Sequence, residues 1–198
     1  MFLNNKESMI LIIDNGSQYT HLIKRNMRDL GHEAEILPNK TTSIEEVVGK
    51  NPEAIILSGG PSSVTAGENY VSAEIVKKVW DGWDVPLLGL CWGHQVIAYT
   101  LGGKVERGGS AEYGLEKIFV DDADLLFKDV PVEFTAWASH FDEVKSLPEG
   151  FIALAHSDSC AIEAVRHKER RIFGCQFHPE VWHTEHGEKI LENFLSCI

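Results

Sequence analysis

Three short stretches in the first half of the chain, Met9–Asp14, Ala54–Leu57 and Pro86-Leu87-Leu88-Gly89-Leu90, are apolar almost throughout, and helical patterns lie between them. A strand with one wet face alternates apolar and polar residues. A strand of a parallel sheet is covered on both faces and reads as a continuous apolar run. The first run, bounded by Glu7 and Asp14, is far too short for a membrane span or a signal-peptide core. Asn15-Gly16-Ser17 follows as a turn and helix cap, and Tyr19, Leu22, Ile23, Met27 and Leu30 recur at helical spacing until Gly31. Residues 33–37 read as a second strand, and Ser43-Ile44-Glu45-Glu46 has the capping-box spacing of a short helix. Residues 68–80 read as a helix, and residues 93–101 as another, stopped by Gly102-Gly103. The alternation predicts an α/β fold: an open, mainly parallel, flavodoxin-like central sheet with helices on both faces.

Beyond residue 103 the pattern changes to short strands, at about residues 115–120, 132–138, 151–155, 161–166 and 171–176, separated by Gly, Pro and Asp. This half is expected to be antiparallel. A helix over residues 185–195 closes the chain. No linker interrupts the pattern, and 198 residues suit one buried core, so a single domain over residues 1–198 is expected.

Composition excludes several functions. Lys and Arg number 18 against 30 Asp and Glu, a formal charge of -12, so a nucleic-acid backbone would be repelled on average. Apolar residues at 43% fit a soluble globule without a membrane partner. The four cysteines, Cys91, Cys160, Cys175 and Cys197, form no C-x-x-C pair and are too few for a disulfide scaffold, which points to a reducing cytoplasm.

Gly89-Leu90-Cys91-Trp92-Gly93 sets a thiol between two glycines where a strand runs into a helix. This is the layout of a G-x-S-x-G nucleophile elbow with sulfur in place of oxygen. The helix start aims unpaired N–H groups and a positive dipole end at the sulfur, favouring the attacking thiolate. Read alone, the motif fits a buried structural cysteine equally well. Phe177-His178-Pro179-Glu180 lies at another strand end, where proline favours an extended residue before it, so His178 and Glu180 project to one side as a base and its orienter. Ser58-Gly59-Gly60-Pro61 supplies small residues at a third strand end, whose N–H groups could hold an oxyanion. No nucleotide-binding glycine motif accompanies it. A metal reading of His178, Glu180, His183, Glu185 and His186 is disfavoured, because no strong ligand spacing is present.

Taken together, Ile56-Leu57-Ser58-Gly59-Gly60-Pro61, Gly89-Leu90-Cys91-Trp92-Gly93-His94-Gln95 and Phe177-His178-Pro179-Glu180 resemble the class I (triad) glutamine amidotransferase family across essentially the whole chain. The resemblance implies hydrolysis of L-glutamine to glutamate and ammonia. Cys91 would be the nucleophile, His178 the acid and base, and Glu180 its orienter. Gly59, Gly60 and Trp92 would line the oxyanion site, and Gln95, Ser139 and His140 would contact substrate. Asp14-Asn15-Gly16-Ser17-Gln18-Tyr19-Thr20, Glu112-Tyr113-Gly114, Ser139-His140-Phe141-Asp142-Glu143-Val144 and Val181-Trp182-His183-Thr184 are similar to the branch that feeds ammonia to GMP synthases. The phosphate loop S-G-G-x-D-S of the synthetase domain is absent, since Ser58-Gly59-Gly60-Pro61-Ser62-Ser63 lacks its Asp. The resemblance therefore implies no metal or cofactor in this chain, and a separate XMP-binding subunit carrying ATP and Mg. Two alternatives stand beside it: a glutaminase for anthranilate or aminodeoxychorismate synthesis, and a non-catalytic glutamine-binding regulatory subunit.

Overall fold

The computed structural model describes residues 9–198, apart from the side chains of residues 110–112. Glu7, expected to bound the first strand, lies outside the described residues. One nine-stranded sheet organises the chain, in the order β2-β1-β3-β4-β9-β8-β7-β5-β6. The strands β1 (Met9–Asp14), β2 (Glu33–Pro38), β3 (Ala54–Leu57), β4 (Leu87–Leu90) and β9 (Ile172–Cys175) pair in parallel. The strands β5 (Lys104–Val120), β6 (Glu133–Ser146), β7 (Phe151–His156) and β8 (Ala164–His167) complete the sheet in antiparallel fashion. The expected division holds except at β9: the strand at 171–176, expected to be antiparallel with the rest of the second half, pairs in parallel with β4 on one side and antiparallel with β8 on the other, because the chain returns to the centre of the sheet.

The apolar runs divide between two cores. Ile10, Ile12, Ala54, Ile56, Leu88 and Leu90 face one side, where Ile23 and Met27 of α1 (Thr20–Asp29) and Ile190, Leu191 and Phe194 of α5 (Gly187–Leu195) cover them. Leu11, Ile13, Ile55, Leu57 and Leu87 face the other, beneath α2 (Ile44–Gly49), α3 (Tyr70–Trp80) and α4 (Trp92–Thr100). Strand periodicity of two thus sends neighbouring residues to opposite cores, each contributing about 1.5–3 kcal/mol when a large aliphatic side chain is fully buried. Local signals place the helix ends. Ser43 Oγ accepts the Glu46 N–H at 3.2 Å, and Gly31 leaves α1 at φ +88°. Among the described residues, no helix is long and apolar enough to cross a membrane.

Two strands exceed their expected lengths. β5 starts at Lys104 rather than near residue 115, and β6 runs to Ser146 rather than to residue 138, the two joined in one antiparallel ladder with a register shift between Arg107 and Glu112. The irregular stretch falls at the glycine pair Gly108-Gly109, between the paired residues Arg107 and Glu112. β8 begins three residues later than the expected residue 161.

Candidate active site

Four segments leave the carboxyl ends of adjacent parallel strands and meet there: residues 15–19 after β1, 58–63 after β3, Cys91 after β4, and 176–180 after β9. Ligands of open α/β sheets bind at this edge.

Cys91 follows β4 directly and has φ 51° and ψ -105° before α4 begins at Trp92. A non-glycine residue in such a conformation costs on the order of 1–3 kcal/mol and persists only where its surroundings impose it. The flanking glycines allow that packing. A Cβ on Gly89 would lie 2.3 Å from the Gly93 carbonyl oxygen, and one on Gly93 would lie 2.3 Å from that of Leu57. The Cys91 N–H donates to the Cys175 carbonyl at 2.7 Å, tying the elbow to β9.

His178 and Glu180 are both buried. Nδ1 of His178 lies 2.8 Å from Oε1 of Glu180, and since a carboxylate only accepts, Nδ1 carries the proton and Nε2 is left for the sulfur. His178 and Cys91 line the same cavity, and the imidazole feels the charge of the Cys91 sulfur. Burial disfavours the imidazolium, but the charges of Glu180 and then Cys91 outweigh it and raise the His178 pKa well above 6.5. The His178 N–H donates to the Trp137 carbonyl of β6 at 2.9 Å, and Thr184 Oγ1 donates to the His178 carbonyl at 2.6 Å. The Tyr19 ring packs edge-on against the imidazole, centroids 5.0 Å apart.

A cavity of about 540 Å³ opens over the sulfur. Of the residues expected from sequence, Cys91, His178, Gly60, Trp92, Gln95, Ser139 and His140 line it, while Glu180 stands behind His178. Gly59 lies beside the imidazole, where an added Cβ would be 3.2 Å from His178 Cε1. Its peptide has a fixed orientation. Asn15 Nδ2 donates to the Ser58 carbonyl at 2.8 Å, the Asn15 N–H donates to Ser58 Oγ at 2.9 Å, and Ser58 Oγ donates to the Gly59 carbonyl at 2.9 Å. In a trans peptide the N–H points opposite to the carbonyl, so the Gly59 N–H is turned away from Asn15. Among the described residues neither the Gly59 nor the Trp92 N–H makes a hydrogen bond, which leaves two uncommitted donors near Cys91.

Gln176 is a site residue that sequence reasoning missed. It is fully buried, and its amide nitrogen lies 3.7 Å from Cys91 Sγ. A polar side chain at the end of the wholly apolar strand β9, two residues before the candidate base, was the available signal. Gln95 points its amide nitrogen at the Asp142 carbonyl (2.6 Å) and at Gln176 Oε1 (3.1 Å), so a substrate contact through Gln95 falls to its oxygen. Of the other histidines of the H-P-E region, His183 stacks on Trp137 and contacts Trp182, and exposed His186 stands at the N-cap position of α5 with no capping bond from its side chain. Among the described residues no group of three or more His, Cys, Asp and Glu is placed to hold a metal. His94, on the first turn of α4, is fully buried with neither ring nitrogen hydrogen-bonded among the described residues, and burial together with nearby His140 lowers its pKa to about 3.

Residues 11–197 match the family described as Glutamine amidotransferase class-I. The chain is 51% identical over 186 residues to the glutamine-hydrolyzing GMP synthase subunit of Pyrococcus abyssi, covering 94% of this chain and 96% of that protein. It is 50% identical to the protein of the same name from Methanocaldococcus jannaschii, covering 94% and 95%. A crystal structure from Thermoplasma acidophilum, of a protein put forward as a GMP synthase subunit, superposes with a TM-score of 0.86 at 34% identity, covering 96% of this chain and 94% of that one. A glutamine amidotransferase of Thermotoga maritima shares the fold at a TM-score of 0.76 and 20% identity, covering 96% and 81%. By its sequence, and with Cys91, His178 and Glu180 brought together at one edge of the sheet, the chain belongs to the class I glutamine amidotransferase family.

Proposed function

We propose that this chain hydrolyses L-glutamine and delivers the ammonia to a separate subunit that binds XMP and ATP and makes GMP. The observation that carries the chemistry is the convergence of Cys91, His178 and Glu180 from two strand ends, with Cys91 and His178 lining one cavity and a 2.8 Å hydrogen bond joining imidazole to carboxylate. The relatives that are about half identical over nearly their full length, each a glutamine-hydrolyzing GMP synthase subunit by name, support that acceptor over anthranilate or aminodeoxychorismate synthesis.

In this reading the Cys91 thiolate adds to the carboxamide carbon, and the carbonyl electron pair moves onto oxygen, facing the N–H groups of Gly59 and Trp92. The tetrahedral adduct collapses as the C–N bond breaks, and His178 gives its proton to the departing nitrogen. Ammonia leaves a γ-glutamyl thioester. Water then attacks the same carbon while His178 takes its proton, the C–S bond breaks, and glutamate is released with the thiolate restored. Each oxyanion donor is worth about 10²–10³ in kcat in comparable sites. ATP and Mg belong to the partner in this scheme, and the chain's own residues perform the hydrolysis.

Cys91→Ala tests the reading in the complex with the synthetase subunit. Glutamine-dependent GMP formation is expected to vanish while ammonium-dependent GMP formation persists. Glutamine-dependent turnover in Cys91→Ala would overturn it. An intact Cys91 that a glutamine-analogue alkylator fails to label, even with the partner present, would favour a binding subunit without catalysis.

A further inference from the structure

The orientation of the Gln176 amide follows from what each neighbour is able to do. The Asp142 carbonyl only accepts, so the Gln95 atom 2.6 Å from it is the nitrogen. That nitrogen only donates, so the Gln176 atom 3.1 Å from it is the oxygen. The Gln176 NH2 is thereby left facing Cys91 Sγ at 3.7 Å. An N–H aimed at sulfur stabilises S⁻ more than S–H, because hydrogen bonds to an ionised acceptor are the stronger ones. The neutral thiol has its own partner, the Ser139 carbonyl at 3.8 Å. The sulfur thus has one acceptor for its protonated form and one hydrogen-bond donor, Gln176, for its ionised form, with the His178 ring lining the same cavity. Gln176 cannot turn to water, since it is wholly buried and its backbone N–H is held by the Glu163 carbonyl at 2.7 Å.

We propose that Gln176 is a further catalytic residue: its side-chain amide, locked by Gln95 against the Asp142 carbonyl, donates to the Cys91 sulfur and holds it as the thiolate that attacks the carboxamide. The relay runs from the β6 main chain through two amides to the nucleophile, and it rests on Cys91 being that nucleophile. Gln95 is a positioning residue in this relay, because it acts on the sulfur through Gln176. No new bond is made or broken; the amide stabilises the same ion before attack and after thioester hydrolysis.

The test is the pH dependence of Cys91 alkylation by iodoacetamide, followed on the Cys91 peptide by mass spectrometry, together with glutaminase kinetics of the chain bound to its synthetase subunit. Gln176→Glu keeps the shape and replaces the amide donor by a carboxyl, which as the carboxylate only accepts. It is expected to move the alkylation midpoint up by about one pH unit or more, the equivalent of one charge-assisted hydrogen bond. Glutaminase kcat at pH 7 should fall at least tenfold and recover in part at higher pH, with KM changed less than threefold. Gln176→Met, which only removes the donor, should shift the midpoint in the same direction by less. Gln95→Leu leaves Gln176 in place but releases its orientation, and should also raise the midpoint, which keeps the test valid if substitution at position 176 prevents folding. An unchanged midpoint in the folded variants, or a kcat loss with no movement of the pH profile, would overturn the proposal. Failure of the underlying reading looks different: glutamine hydrolysis would then survive Cys91→Ala, whereas failure of the Gln176 role alone leaves Cys91→Ala inactive.

Discussion

Acid should destabilise this protein through His94, a residue that takes no part in the proposed chemistry. The ring is fully buried, neither nitrogen has a hydrogen-bond partner among the described residues, and its pKa is lowered from 6.5 to about 3 by burial and, secondarily, by His140. In the unfolded chain the same ring takes up a proton near pH 6.5. Below that value the unfolded state binds a proton that the folded state refuses. The stability held above pH 6.5 is therefore lost progressively as pH falls toward 3. Each pH unit in that window costs about 1.4 kcal/mol, so lowering the pH from 8 to 5 should remove about 2 kcal/mol through His94 alone. His94→Met fills similar space without a titrating group. Urea unfolding of both proteins at pH 8, 6.5, 5.5 and 5 isolates the contribution, because every other titrating group is shared. The stability of the parent should fall relative to the variant by about 2 kcal/mol between pH 8 and pH 5. Parallel stability curves would refute the argument and mean that the ring accepts a proton inside the folded protein.

Two further outcomes follow from the site. Gly93→Ala would put a Cβ 2.3 Å from the Leu57 carbonyl oxygen in the middle of the sheet, so the elbow must distort; soluble yield or melting temperature should drop sharply and glutaminase activity should disappear, whereas near-normal values of both would contradict the packing described. Glu180→Gln removes the charge that, against burial, holds the His178 pKa above 6.5, and should lower that pKa in an imidazole NMR titration; the stability this pair supplies is full below pH 6.5 and lost as pH rises through the folded value, so the variant should be most weakened on the acid side.

The parallel half was legible because its evidence is local. Met9–Asp14, Ala54–Leu57 and Leu87–Leu90 are apolar on both faces, and the two cores that cover them explain why alternation is missing. The motifs of the proposed triad were legible for the same reason: the Cys91 elbow needs Gly89 and Gly93 for steric reasons, and Glu180 stands two residues from the His178 ring it bonds. The long hairpin of β5 and β6 was not. Residues 139–146 are polar or charged at many positions, and only the alternating burial of Phe134, Ala136, Ala138 and His140 discloses the strand. That alternation depends on which face the neighbouring strand covers, and pairing partners far apart in sequence leave no mark on local composition. Gln176 escaped notice because its role is defined by Gln95 and Asp142, 81 and 34 positions away, and an amide in a strand-end loop carries no chemistry of its own until those neighbours orient it.

The way His178 is hung has a mechanical consequence. The nucleophile is bolted to the parallel part of the sheet through Cys175, whereas the main chain of the base is fastened to the outermost antiparallel strand through Trp137. Sulfur and imidazole therefore share β9 as a support, and the imidazole has a second tether on the sheet edge at β6. A displacement of β6 relative to β9 would reach the His178 main chain through the Trp137 carbonyl while leaving the Cys91–Cys175 tie untouched.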